Sequence, residues 1–420
     1  MQYLKKLFDP HLLANLVGCL LLLLPSLAGS QRGNAPLFQK REESSSGKEK
    51  ESPAKARHLI GSTLIGQFDR AALADRASAV PGVRALAQYN IKVYRLTYQT
   101  TGVGGEKVTA SGALLVPVAD KPLPLLSYQH GTIRRSDEQR APSYYRPGSE
   151  IWSAVSVLAS NGYLVTAPDY LGYGASKALP HPYEHAPTLA SASLDMLRAA
   201  REFCAREKIG LNDRNFLLGY SEGGFATMAL HKLIEEKHAD EFTVTASAPG
   251  AGAYHKTAFA RYIMNSDQKL NFINTYVWVL GTYNQVYALN RPLSRYFNEP
   301  WAARIQANLF DEINPLPKQL FTAAFRTGIL NGTDTRMLVA FRDNDVYDWK
   351  PKAPVALFHG TADDYVPFFN SQDAYEAMLA RGATQVQLRP IKGGNHFTSA
   401  AEYTLGAFLF FSAYRDAIGN

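Results

Sequence analysis

The amino-acid sequence predicts an α/β fold: a mostly parallel sheet flanked by helices, with one helical insertion. Short apolar runs bounded by turn residues recur along the chain, and helix-length amphipathic segments separate several of them. One long aromatic-rich stretch breaks that alternation. The apolar runs lie at 123–128, 163–167, 215–220, 242–248, 354–358 and 386–391. Continuous runs of this length suit strands buried on both faces. Helices are expected at 151–160, 190–206, 225–236 and 371–379, and the alternating segments 91–98 and 111–118 read as an antiparallel pair at one sheet edge. From about 254 to 349 the chain reads as short helices and carries 17 Phe, Tyr or Trp among 96 residues. This stretch is expected to form a cap inserted between two strands. Most of its aromatics are expected to pack the cap's own core and the remainder to face the site beneath.

The chain has 420 residues, 46% hydrophobic and 19% charged, which is enough apolar material for a large core. Its start reads differently. Lys5-Lys6, an apolar run from Leu12 to Leu24, Pro25 and the small residues Ala28, Gly29 and Ser30 follow the grammar of a signal peptide over 1–30, cleaved after Ala28 or Ser30. Leu16-Val17-Gly18-Cys19 also fits a lipobox, which would leave Cys19 lipidated and the protein tethered to a membrane. Residues 31–57 are polar and charged, too poor in apolar groups to offset their ordering entropy, and are expected to be a flexible linker to a domain over 58–420. The net charge of +7 comes largely from this front part: residues 1–57 hold nine Lys or Arg against five Asp or Glu. The rest is close to balanced, which argues against a nucleic-acid partner. With the leader gone Cys204 stands alone, so no intrachain disulfide is expected, and its helical pattern suits a packed apolar side chain.

Gly219-Tyr220-Ser221-Glu222-Gly223 has the pattern of a nucleophile elbow, a strained strand-to-helix turn that holds a serine hydroxyl out from the sheet edge. Its context suits: the apolar run 215–220 precedes it and a helix rich in small residues follows. A serine hydroxyl is a poor nucleophile until a base takes its proton, so a histidine oriented by a carboxylate must lie within reach. With an elbow of this kind the chain order is serine, acid, histidine, the partners lying on loops after later strands. Asp363 follows the run 354–358, with Asp364 as its immediate rival, and His396 follows the run 386–391 in Gly393-Gly394-Asn395-His396-Phe397. Of ten histidines, His396 alone follows the last strand. His231 and His238 are expected to be solvated, His181 and His185 to make structural hydrogen bonds, and His359 to brace the acid loop. No pair has the spacing and carboxylate company of a zinc site, and no metal or organic cofactor is implied. A tetrahedral intermediate's oxyanion needs preorganised donors. The backbone amide of Glu222 is the first candidate, and Gly131 or Thr132, after the run 123–128, the second.

These residues, with Tyr94-Arg95-Leu96-Thr97-Tyr98-Gln99-Thr100, Ser127-Tyr128-Gln129-His130-Gly131-Thr132, Pro168-Asp169-Tyr170-Leu171-Gly172-Tyr173-Gly174, His181-Pro182-Tyr183 and His359-Gly360-Thr361-Ala362-Asp363, resemble the secretory lipase and esterase branch of the α/β-hydrolase superfamily. The resemblance runs over most of 90–412. It implies the α/β-hydrolase fold, a helical cap, and hydrolysis of carboxylic esters of small molecules or lipids. It also implies Asp363 as the acid, since the family's acid stands three residues before Val-Pro. Two rivals share the fold: a serine peptidase acting on small peptides, and a non-catalytic surface protein that keeps the fold for binding. No propeller-like repeat precedes the elbow, which counts against one branch of the first, and the presence of all three triad residues counts against the second.

Overall fold

A computed structural model describes residues 57–76, 83–271 and 273–415. The expected signal peptide, with Cys19, and all but the last residue of the expected linker lie outside the described residues. No helix among the described residues is long and apolar enough to cross a membrane.

Among the described residues nine strands form one sheet: β1 (Leu59–Phe68), β2 (Ile91–Thr101), β3 (Lys107–Pro117), β4 (Leu123–Gln129), β5 (Leu164–Pro168), β6 (Leu211–Tyr220), β7 (Val244–Gly250), β8 (Val355–Gly360) and β9 (Val386–Ile391), in the order β1-β2-β3-β5-β4-β6-β7-β8-β9. The first three and β5 pair antiparallel, and from β5 to β9 every pairing is parallel. The apolar runs predicted for the parallel part are all strands. Their pattern follows from burial on both faces: Phe216 and Leu218 of β6 enter one core cluster and Leu217 the opposite one. The edge strand β1 has no such run, because an edge strand half open to solvent can carry polar residues on either side; Ile60, Leu64 and Ile65 are exposed.

Helices cover both faces. After the short α1 (Arg70–Arg76) come α2 (Ala154–Ser160), α3 (Ala186–Glu207) and α4 (Glu222–Lys237); α11 (Phe369–Ala380) and α12 (Ala400–Arg415) close the chain. Helix α12 carries a narrow buried stripe, Tyr403, Ala407 and Phe411, at a spacing of four. Between β7 and β8 the described residues form six α-helices: α5 (Lys256–Asn265), α6 (Ile273–Val286), α7 (Trp301–Ala307), α8 (Pro317–Leu320), α9 (Ala323–Leu330) and α10 (Thr335–Asp343). Their buried aromatics, among them Tyr283, Tyr296, Phe321, Phe325 and Phe341, gather in a core cluster of their own.

Cys204 is free and buried, and burial pushes its thiol up to about 12. His231 departs from its expected solvation. It is fully buried, with Nδ1 2.9 Å from Ser247 Oγ and Nε2 2.9 Å from Glu235 Oε1. Glu235 in turn accepts from the Lys352 and Ala353 amides, so this polar chain ties α4 to the entry of β8. His238 is half-buried, within 3.1 Å of the Arg198 guanidinium.

Strand register sets the functional edge. Gln129 pairs with Gly219, Tyr220 with Gly250, and Gly360 with Ile391, so the loops after β4, β6, β8 and β9 leave the sheet at its carboxyl edge. Tyr403 locks the ends of β6 and β7 together. Its buried hydroxyl accepts from the Gly219 amide at 3.0 Å and faces the Gly219 and Ala248 carbonyls at 2.8 and 2.9 Å. Replacing Tyr403 with Phe strands a buried amide. It is expected to cost ~1–3 kcal/mol in denaturant unfolding; an unchanged midpoint would show that the hydroxyl does not hold the strands.

Candidate active site

Ser221 stands just before α4, as its N-cap, with φ 61° and ψ −124°, a backbone that a non-glycine residue adopts only under constraint. Its amide donates to the Gly250 carbonyl at 2.9 Å. The turn closes so tightly that a methyl on Gly223 would stand 2.1 Å from the Gln129 carbonyl oxygen, and one on Gly219 2.3 Å from the Gly223 oxygen. The elbow's glycines are therefore steric requirements.

His396 lies 97% buried on the loop after β9, its carbonyl held by the Tyr220 hydroxyl at 2.7 Å. Its Nε2 is 2.9 Å from Ser221 Oγ and its Nδ1 is 2.7 Å from Asp363 Oδ2. A carboxylate only accepts, so Nδ1 donates to Asp363 and the bare Nε2 accepts from the Ser221 hydroxyl. The other oxygen of Asp363 accepts from the Tyr365 and Val366 amides at 2.9 and 2.8 Å. His359 Nε2 stands 3.4 Å from Oδ2 and 2.7 Å from the Val366 carbonyl, and its Nδ1 meets Ser371 Oγ at 2.7 Å. Burial works against the ionised form of Asp363, but the hydrogen bonds from His359 and His396 outweigh it and hold the carboxyl well below the ordinary aspartate range. Asp364 is exposed and accepts from Asn271 Nδ2, away from the histidine.

The Glu222 amide occupies the first position of α4, where no helical carbonyl can reach it. Across the turn, Gly131 packs close to the serine: a methyl on it would stand 3.9 Å from Ser221 Cβ. The Gly131 amide donates to Glu150 Oε2 at 3.1 Å, which the Tyr128 hydroxyl also reaches at 2.5 Å. Thr132 turns its hydroxyl to Tyr183, 3.0 Å away, and no acceptor for its amide is found among the described residues.

Beside Ser221 opens an apolar pocket whose wall includes Phe259 and Ile263 of α5, Val279 and Leu280 of α6, and Phe341 of α10. One buried acid–base pair lies in its wall, and a second involves the residue after Ser221. Lys256 donates to Glu184 within the pocket wall, and His181 Nε2 meets Glu222 Oε1 at 2.6 Å. Burial raises the Glu184 carboxyl above its usual range, against the pull of Lys256. Glu150 and these two pairs escape a reading of the chain by spacing, because 131 and 150, 181 and 222, or 184 and 256 meet only through loops. The one visible signal was the acidic residue inside the elbow itself.

Comparison with known proteins adds the family. The chain matches the secretory lipase family over residues 149–408. It is 23% identical over 342 residues to the secreted triacylglycerol lipase LIP2 of Malassezia furfur, spanning 77% of this chain and 71% of that protein. A crystal structure of a putative hydrolase from Legionella pneumophila superposes with a TM-score of 0.77 at 26% identity, covering 86% of this chain and 100% of the other. The rice cell wall degrading esterase LipA from Xanthomonas oryzae superposes with a TM-score of 0.74 at 28% identity, again over 86% and 100%. The chain therefore belongs to the secretory lipase family and is a lipase- or esterase-like carboxylic ester hydrolase of the α/β-hydrolase fold.

Proposed function

We propose that the protein is exported and cleaves esters of apolar acyl groups through an acyl-enzyme on Ser221. The observation that carries this reading is the hydrogen-bonded line from Asp363 through His396 to the Ser221 hydroxyl, at 2.7 and 2.9 Å, at the mouth of an apolar pocket. His396 takes the serine proton as Ser221 attacks the ester carbonyl, then delivers it to the leaving alcohol. Asp363 holds the ring in that tautomer and stabilises the imidazolium. Water, activated by the same histidine, then releases the acid. The developing oxyanion is received by the Glu222 amide and by an amide of the Gly131-Thr132 turn. At Thr132 that donor is open; at Gly131 it is engaged by Glu150. The helices over 256–343 act as a cap whose apolar wall receives the acyl chain. Support for export comes from the leader's pattern and from the secreted character of the family.

Ser221→Ala is expected to lower turnover of p-nitrophenyl esters by at least ~10³-fold with the fold intact, and Asp363→Asn by ~10⁴-fold. Asp364→Asn should leave the rate within about twofold, since that carboxylate does not touch the histidine. Full activity in Ser221→Ala would end the serine hydrolase reading, and equal losses at 363 and 364 would end the assignment of the acid.

Ala260 lines the pocket from α5. Filling it, as Ala260→Phe, should shift the optimum of a chain-length series of acyl esters toward shorter chains, cutting kcat/KM for the longest by ~10-fold or more while sparing acetate. A uniform loss across the series would argue that the chain binds elsewhere. For export, mass spectrometry of the mature protein should find an N-terminus just after Ala28 or Ser30. A diacylglyceryl mass on Cys19 would instead make it a tethered enzyme, and an intact Met1 would remove the claim of cleavage.

A further inference from the structure

Glu222 contributes more than its backbone amide. Its side chain is fully buried, pointing into the loop that follows β5, where His181 is 3% exposed at its side chain. His181 Nδ1 lies 2.7 Å from the Leu171 carbonyl, which can only accept, so Nδ1 carries hydrogen. Nε2 lies 2.6 Å from Glu222 Oε1. A second proton must stand between those two atoms, since a carboxylate facing a bare ring nitrogen would set lone pair against lone pair.

We propose that Glu222 and His181 form a dyad that holds this one shared proton and is electrically neutral, and that its neutrality keeps negative charge off the oxyanion site while its hydrogen bond fixes the first residue of α4. Both side chains are thus positioning residues for the reaction, and the inference rests on the reading of Ser221 as nucleophile. Two arrangements satisfy it, imidazolium with carboxylate or imidazole with carboxylic acid, and both carry no net charge. Glu222 Oε2 is buried and without a hydrogen-bond donor, which is costly for an anion and tolerable for a carbonyl oxygen.

The surroundings leave no room for an extra negative charge. Tyr170, Tyr173 and Tyr183 pack their rings around the His181 imidazole, with centroids 6.0, 4.8 and 6.1 Å away. Lys256 of α5 is already committed to Glu184, and Trp278 of α6 covers the His181 ring edge-on at 5.7 Å. A lone carboxylate at 222 would therefore have no cation to answer it, one residue from the serine that forms the oxyanion. It would oppose the charge that the Glu222 amide must stabilise.

A double-mutant cycle tests this with a p-nitrophenyl ester, on variants whose fold is checked by circular dichroism. His181→Ala should lower kcat by about 10- to 100-fold at nearly constant KM, because the lost interaction belongs to the transition state. Glu222→Gln, neutral by construction and able to donate to His181, should cost less. Adding Glu222→Gln to His181→Ala should raise kcat back toward the Glu222→Gln level, a rescue that a merely structural role would not produce. A double variant no faster than His181→Ala overturns the proposal. Should the variants not fold, the wild-type proton spectrum decides: a downfield, exchange-protected proton beside His181 Nε2 is expected, and its absence overturns the dyad. Failure of the cycle with Ser221→Ala still inactive removes only the dyad; activity in Ser221→Ala removes the reading beneath it.

Discussion

The catalytic edge depends on one backbone turn. At Ser221 the chain passes from strand to helix through a single residue with positive φ, which no side chain adopts without compensation. The compensation is visible on every side. The Ser221 amide bonds to Gly250, the two elbow glycines clear the neighbouring carbonyls, and the buried Tyr403 hydroxyl clamps the ends of β6 and β7. Because the turn is held by strands on both flanks, the serine hydroxyl and the Glu222 amide share one rigid frame. A serine on a free loop would have to order itself at each turnover.

Around that frame, buried carboxylates are handled in contrasting ways. Asp363 accepts from two backbone amides and His396, with His359 near by, and this donor set overcomes its burial. Glu184 has a lysine but few further donors, and burial wins. Glu222 has one histidine partner and one oxygen with none. The number of donors, more than the presence of a cation, separates a buried carboxylate whose ionised form is favoured from one whose ionised form is not.

The helices between β7 and β8 give the site its apolar side. They form an aromatic core and also supply much of the pocket wall beside Ser221, so one inserted segment serves both packing and the lining of the pocket. The one ion pair in that wall, Lys256 with Glu184, is satisfied by its own members.

Much of this was legible along the chain. Strands buried on both faces must be apolar, an elbow must carry its glycines, and a loop histidine after the last strand has few other uses; these are local demands, and residues 215–223, 354–363 and 386–396 display them directly. The edge strand β1 and the helix α12 were not legible, because one is half open to solvent and the other buries only a narrow stripe. His231 misled for a related reason: a polar helix face implies water only if nothing packs on it, and Trp349 does, edge-on at 5.0 Å. Adjacent aspartates at 363 and 364 look alike in sequence, and only the path of the loop turns one inward and the other to solvent. The same holds for Glu150 on Gly131, Lys256 on Glu184 and His181 on Glu222. Local chemistry is written in neighbouring residues, whereas a buried charge is answered by whatever the folded chain brings within about 3 Å of it, and sequence distance says nothing about that.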